Sequence, residues 1–186
     1  CANGATYQTA PPLFMDLGAE VTTMGVEPDG RNINHHCGSE HPEGLIQMVL
    51  ETRADAGLAL DGDGDRLIAV DEKGRILSGD QILLICADSM KRQGRLSYPC
   101  VVSTVMSNMG LSVALNTMGI QHEKSKVGDR YVMKKMKACG AMIGGEDSGH
   151  MIFADHHTTG DGSLTSLKLI EAMQATNKPL SELSKM

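Results

Sequence analysis

Apolar positions follow two different rhythms along this chain. In the first part they come in short, interrupted pieces. Residues 6–17 read as a helix, although Pro11-Pro12 falls where it can break or shift one. Residues 19–24 are a strand candidate, and a polar loop over residues 27–42 is long enough to imply function or mobility. Leu45, Met48 and Val49 have helical spacing within residues 44–52. Two short apolar runs, residues 56–60 and 67–70, read as buried strands on either side of a loop. The turn Glu72-Lys73-Gly74-Arg75 then leads into Ile76-Leu77.

At Ser78 the rhythm changes. Ser78-Gly79-Asp80-Gln81 is a capping-box sequence, able to satisfy free amides at a helix start. Ile82, Leu83, Ile85, Cys86 and Met90 then make one broad apolar face, which Gly94 ends. Beyond it strand and helix alternate. Strands are predicted at residues 101–105, 123–126 and 141–143, with helices at 110–118 and 131–139 stopped by Gly119 and Gly140. Asp161 is placed to cap a helix over residues 163–175, and Lys178-Pro179 opens a last segment. Such alternation marks βαβ units and a parallel sheet. The expected fold class is therefore α/β: two consecutive α/β domains, residues 1–78 and 79–186, with mixed, largely parallel sheets. Each half carries enough apolar residues for a core of its own.

Composition narrows the setting. A hydrophobic share of 41% and a charged share of 22% belong to a soluble globular protein. No apolar run approaches a membrane span, so no membrane partner is expected. A net charge of -6 argues against nucleic acid, while Lys124, Lys126 and Arg130 could still receive a small anionic substrate. Five cysteines without a Cys-x-x-Cys read as reduced thiols of a cytoplasmic protein. His35-His36-Cys37 with His41 lacks the spacing of a structural zinc site and reads as a surface loop. The chain opens on a Cys1-Ala2-Asn3-Gly4 turn, before which a strand would be expected; this predicts a piece of a longer protein.

Chemistry concentrates in Asp61-Gly62-Asp63-Gly64-Asp65-Arg66. Three carboxylates at alternate positions repel one another unless a cation gathers them. A set of hard oxygen donors favours Mg²⁺ or Ca²⁺ over zinc. Arg66 follows as a fixed cation suited to a phosphate oxygen beside the metal. An EF-hand reading would place Asp61, Asp63 and Asp65 at its first, third and fifth loop positions and Glu72 at the twelfth. It would also place Arg66 where that loop needs glycine. A non-catalytic calcium module is thus the rival from another class, and it depends on Glu72. The second candidate is Gly144-Gly145-Glu146-Asp147-Ser148-Gly149-His150, at the carboxyl end of a predicted strand, where α/β sheets collect ligands. Glu146, Ser148 and His150 offer a carboxylate, a hydroxyl and a ring nitrogen, a set suited to the vicinal hydroxyls of a sugar. A Ser148–His150 catalytic pair has no third member in view.

These two loops carry a resemblance. Residues 61–66 resemble the metal loop of the α-D-phosphohexomutases, and residues 145–150 resemble their sugar loop. Cys1-Ala2-Asn3-Gly4-Ala5, Asn32-Ile33-Asn34, Val105-Met106-Ser107-Asn108, Val127-Gly128-Asp129-Arg130-Tyr131-Val132 and Thr158-Thr159-Gly160-Asp161-Gly162 are similar to the bacterial phosphoglucosamine mutase branch of that family. The resemblance implies a four-domain enzyme of which this chain supplies the second and third domains. The phosphoserine and a phosphate-binding fourth domain lie elsewhere. It implies that Asp61, Asp63 and Asp65 hold Mg²⁺, that Arg66 steadies phosphate, and that Glu146 and Ser148 hold sugar hydroxyls, with Asp129 and Arg130 lining the same cleft. The implied substrates are a hexosamine phosphate and its bisphosphate, in the interconversion of glucosamine 6-phosphate and glucosamine 1-phosphate. Phosphoglucomutase or phosphomannomutase chemistry is the alternative. Asp147 stands where the amino-sugar branch commonly has Gln, an acid that could face a 2-amino group.

Overall fold

The computed structural model describes residues 1–96 and 98–186. A first sheet holds β1 (Ala56–Leu60), β2 (Leu67–Asp71) and β3 (Ile76–Leu77), in that order and antiparallel throughout. A second holds β4 (Cys100–Thr104), β5 (Gln121–Ser125), β6 (Ile143–Gly145) and β7 (Met151–Phe153), in the order β5-β4-β6-β7. Its first three strands are parallel and β7 is antiparallel to β6, so parallel pairing is confined to this sheet. The helices are α1 (Ala10–Asp16), α2 (Glu43–Thr52), α3 (Gly79–Arg92), α4 (Met109–Thr117), α5 (Asp129–Cys139), α6 (Gly162–Thr176) and α7 (Leu180–Leu183). None of the described helices is long and apolar enough to cross a membrane.

Local chemistry accounts for most of these boundaries. At the start of α3 the Ser78 N–H donates to Gln81 Oε1 at 3.0 Å. Asp80 in its first turn and Lys91 and Arg92 in its last complement the helix dipole. Asp161 caps α6 by accepting the Leu164 N–H at 2.9 Å. Three expectations need correction. The helix foreseen over residues 6–17 begins only at Ala10, because prolines are tolerated in a first turn, where their missing N–H costs nothing. Residues 19–24 form no strand: among the described residues no ladder partner lies alongside them, and Val21 alone of that run packs on the core. The strand foreseen at residues 141–143 lies two residues later and takes in Gly144 and Gly145. A side chain at Gly144 would come within 2.7 Å of the Met136 sulfur, so α5 packs straight onto bare backbone there.

Alternation on the second sheet separates two apolar layers. Val101 on β4 and Met151 and Phe153 on β7 face α3, α4 and α6, whereas Cys100, Val102 and Ile152 face α5 through Val132 and Met136. All five residues of β4 are buried, as a strand covered on both faces requires. The larger layer does not stop at residue 78. Leu60, Leu67 and Leu77 of the first sheet share one cluster with Ile82 and Leu83 of α3, Leu169 of α6 and Leu180 of α7. The two halves are therefore built on a common core, not on two separate ones.

Candidate active site

The register Leu60↔Leu67 makes residues 61–66 the loop of a β1–β2 hairpin. Neighbouring segments fix its backbone: the Ala5 N–H donates to the Gly62 carbonyl and the Gly162 N–H to the Gly64 carbonyl, both at 2.8 Å. One carboxylate oxygen from each of Asp61, Asp63 and Asp65 then lies within 4.8 Å of the others. The Arg66 N–H donates to Asp61 Oδ1 at 3.1 Å. Its guanidinium Nε stands 3.7 Å from Asp61 and 3.8 Å from Asp65, too far for hydrogen bonds, and its Nη1 is 4.0 Å from Glu40. Burial pushes the Asp61 carboxyl up to about 6, the charges of Asp65 and Asp63 add to the rise, and the Arg66 amide opposes it. Asp65 Oδ1 is buried without a hydrogen-bond partner. An orphaned acceptor, a carboxyl held from ionising and a wholly hard-oxygen donor set all fit a divalent cation of the Mg²⁺ or Ca²⁺ kind. Glu72, on which the calcium-module rival depends, lies outside the cluster: its Oε2 accepts the Ser181 N–H of α7 at 3.1 Å.

The second loop joins β6 to β7 and closes on itself, with the Glu146 N–H donating to the His150 carbonyl and the Gly149 N–H to the Glu146 carbonyl, both at 3.0 Å. Glu146 Oε1 accepts the Gly128 N–H at 2.8 Å, which seats the carboxylate at the N-terminus of α5. Ser148 is exposed at the tip. Asp147 is engaged at a helix start: it accepts the Gly79 N–H on its carbonyl at 3.0 Å and the Asp80 N–H on Oδ1 at 3.2 Å, and so caps α3. His150 has a protein partner on each ring nitrogen: its Nε2 accepts the Gly160 N–H at 3.0 Å and its Nδ1 lies 3.0 Å from Asp65 Oδ2.

That histidine ties the two loops together. An antiparallel bridge pairs Arg66 with His150, and the Leu67 N–H donates to the Gly149 carbonyl at 3.0 Å. A cleft of about 400 Å³ opens beside the acids, lined by Thr6, Thr9, Asp63, Asp65, Asp161 and Ser163 among others. Asp129 and Arg130 do not line it. They border a second groove of about 360 Å³ with Lys134, Lys137, Thr158 and Thr159, because the first turn of α5 gives its amide end to Glu146 and fans these side chains outward. The sequence reading missed Gly160 and Gly162 as site residues, though the Thr-Thr-Gly-Asp-Gly motif signalled them. Gly160 presents its amide to His150, and a Cβ there would lie 2.5 Å from the ring carbon Cε1.

A two-sheet α/β frame that sets an Asp-Gly-Asp-Gly-Asp hairpin against a Gly-Glu-Asp-Ser-Gly-His loop belongs to a known class. Residues 1–74 match the family model for phosphoglucomutase/phosphomannomutase alpha/beta/alpha domain II, and residues 78–186 match that for domain III. The chain belongs to the phosphoglucomutase/phosphomannomutase family. Among curated relatives it is 60% identical over 186 residues to a phosphoglucosamine mutase of Syntrophus aciditrophicus. It spans all of this chain but only 41% of that protein's length. A crystal structure of a family member from Burkholderia thailandensis is 30% identical, with a TM-score of 0.87, covering 100% of this chain and 41% of that one. The N-acetylphosphoglucosamine mutase of Aspergillus fumigatus, solved with GlcNAc-6P and magnesium, shares the fold at 18% identity and a TM-score of 0.68. It covers 94% of this chain and 46% of its own.

Proposed function

We propose that this chain is the metal- and sugar-binding portion of a phosphoglucosamine mutase, in which residues 1–78 and 79–186 act as successive domains. The parent protein would interconvert glucosamine 6-phosphate and glucosamine 1-phosphate in the cytoplasm, through a phosphoserine and a bisphosphate that need domains outside this chain. The observation that carries the reading is the 60% identity to a phosphoglucosamine mutase over 186 residues, the whole of this chain.

The residues have distinct tasks in it. Asp61, Asp63 and Asp65 would hold Mg²⁺, which supplies charge neutralisation for a phosphoryl group in transfer. Arg66, with a half-exposed side chain and only long contacts, is free to turn its guanidinium to a phosphate oxygen. Glu146 keeps Oε2 for a sugar hydroxyl while the Gly128 amide anchors Oε1. Ser148 offers a hydroxyl beside it. Asp129 and Arg130 follow Gly128 directly, so their groove opens one residue from the Glu146 contact and extends the substrate side.

Relative turnover of glucosamine, glucose and mannose phosphates by the full-length protein tests the proposal. The amino sugar is expected to be preferred, and the 186-residue chain alone to show no steady turnover, because it lacks the nucleophile. A preference for glucose or mannose phosphate by orders of magnitude would overturn the assignment.

A further inference from the structure

The smaller apolar layer, between the second sheet and α5, holds two cysteines side by side. Cys100 opens β4 and is fully buried, and its thiol is directed at the Cys139 sulfur 3.5 Å away. Cys139 is the last residue of α5 and is partly exposed. The two lie 39 positions apart in sequence, so the fold and not local spacing brings them together. Their surroundings differ in a way that sulfur chemistry feels. Burial first, and the contact with Cys139 second, pushes the Cys100 thiol up to about 12, so Cys100 stays protonated and out of reach of dissolved reagents. Cys139 has an open side. A disulfide needs its sulfurs about 2.05 Å apart, so closing the gap takes an approach of about 1.5 Å. That movement falls to Cys139, because Cys100 is held in the β4–β5 ladder while α5 ends at once in the left-handed Gly140.

We propose that Cys100 and Cys139 are a reversible thiol–disulfide site, oxidised by a small disulfide of the glutathione class, whose bond ties the end of α5 to the start of β4. The exposed thiol acts first. As a thiolate, Cys139 attacks one glutathione sulfur, breaks the glutathione disulfide and releases one glutathione thiol, leaving the other glutathione bonded to Cys139. Cys100 then gives its proton to solvent, attacks the Cys139 sulfur and expels the second glutathione. The two cysteines lose two electrons and two protons, and one glutathione disulfide becomes two thiols. Reduction by excess thiol runs the same steps backwards, as a transient disulfide in an otherwise reduced protein requires. The bond lies at the amino edge of the parallel sheet, away from the β6–β7 loop. Since the Gly128 N–H at the other end of α5 seats Glu146, oxidation leaves that helix fastened at both ends. None of this depends on the metal or the sugar reading.

The test treats the folded 186-residue chain with oxidised glutathione at mildly alkaline pH, where exposed thiols ionise, and maps its peptides by mass without reduction. A peptide linking Cys100 to Cys139 is expected, with no glutathione retained on either. The midpoint of thermal unfolding should rise by about 5 °C or more, because the bond closes a long loop, and dithiothreitol should reverse the rise. In Cys100→Ala the second step has no thiol to make it, so glutathione should stay on Cys139. Cys139→Ser should show neither link nor shift. Dispersed amide spectra establish that each variant is folded; should Cys100→Ala unfold, the peptide map and midpoint of the parent decide. Glutathione that stays on Cys139 of the parent, a link through Cys1, Cys37 or Cys86 in place of the expected one, or no reaction overturns the proposal. So does a Cys100–Cys139 bond that lowers the midpoint, since the fold would then resist it. A folded Cys100→Ala chain that takes up no glutathione overturns it as well.

Discussion

Asp61 is the residue most at odds with its surroundings when no cation is present. Burial first, and the neighbouring acids second, lift its carboxyl to about 6, against about 4 for an unfolded chain. The folded state therefore binds the proton more tightly than the unfolded one. That mismatch costs nothing below pH 4, grows between pH 4 and 6, and persists above. In a metal chelator, Asp61→Asn is expected to raise the midpoint of thermal unfolding by a few degrees at pH 7.5 and to leave it unchanged near pH 4. Millimolar Mg²⁺ should reverse the order at pH 7.5. A variant less stable than the parent at pH 7.5 without metal would show that the loop tolerates its charge. Asp147 makes the opposite case. By sequence it is an acid poised near an amino sugar, but its carboxylate accepts the Asp80 N–H at the start of α3. Asp147→Ala is accordingly expected to cost about 0.5–2 kcal/mol in chemical denaturation, as lost caps do. Sugar selectivity in the full-length protein should not change.

Among the elements, the hairpin that follows β2 is stapled by charge. Asp71 Oδ1 accepts the Lys73 and Arg75 amides at 2.9 Å, and Oδ2 accepts Arg75 Nε at 2.8 Å. Burial alone would raise this carboxyl, but those hydrogen bonds and the guanidinium outweigh it and hold it below the usual range. A depressed carboxyl stabilises above the unfolded value near pH 4, and the gain is lost as pH falls through the folded value. Asp71→Asn is expected to cost about 1.5–3 kcal/mol at pH 7, with the gap to the parent narrowing towards pH 3. A gap independent of pH would place the loss in packing instead. Elements with strong caps were legible in sequence: α3 through Ser78 and Gln81, α6 through Asp161. Elements defined by a partner were not. Residues 19–24 have strand-like composition and no ladder, while β7 was missed because only three residues of it pair, behind a glycine-rich loop. Both site loops were legible because their chemistry is local. The hydrogen-bond partners of His150 and Asp147 were not, since each is supplied by a segment distant in the chain.

The whole molecule has one large apolar cluster running through both sheets. The sequence suggested a core for each half, because periodicity shows which face of an element is apolar and not what it meets. Unfolding of the 186-residue chain is therefore expected to be a single transition by fluorescence and circular dichroism alike. Residues 1–78 expressed alone should not fold, since Leu60, Leu67 and Leu77 would lose the α3, α6 and α7 side chains that cover them. Two separable transitions, or a folded 1–78 piece, would contradict this.

The bridge between Arg66 and His150 bears on how such proteins can be recombined. A crossover near residue 78 looks natural in sequence, since a helix cap begins there. It would nonetheless bring an acid loop from one parent against a histidine loop from another, with Gly149 supplying the carbonyl that starts β2. Chimeras joined at that point should survive only when both parents agree at residues 65–67, 149–150 and 160–162. A library filtered on those positions would recover the productive crossovers, whatever the overall similarity of the parents.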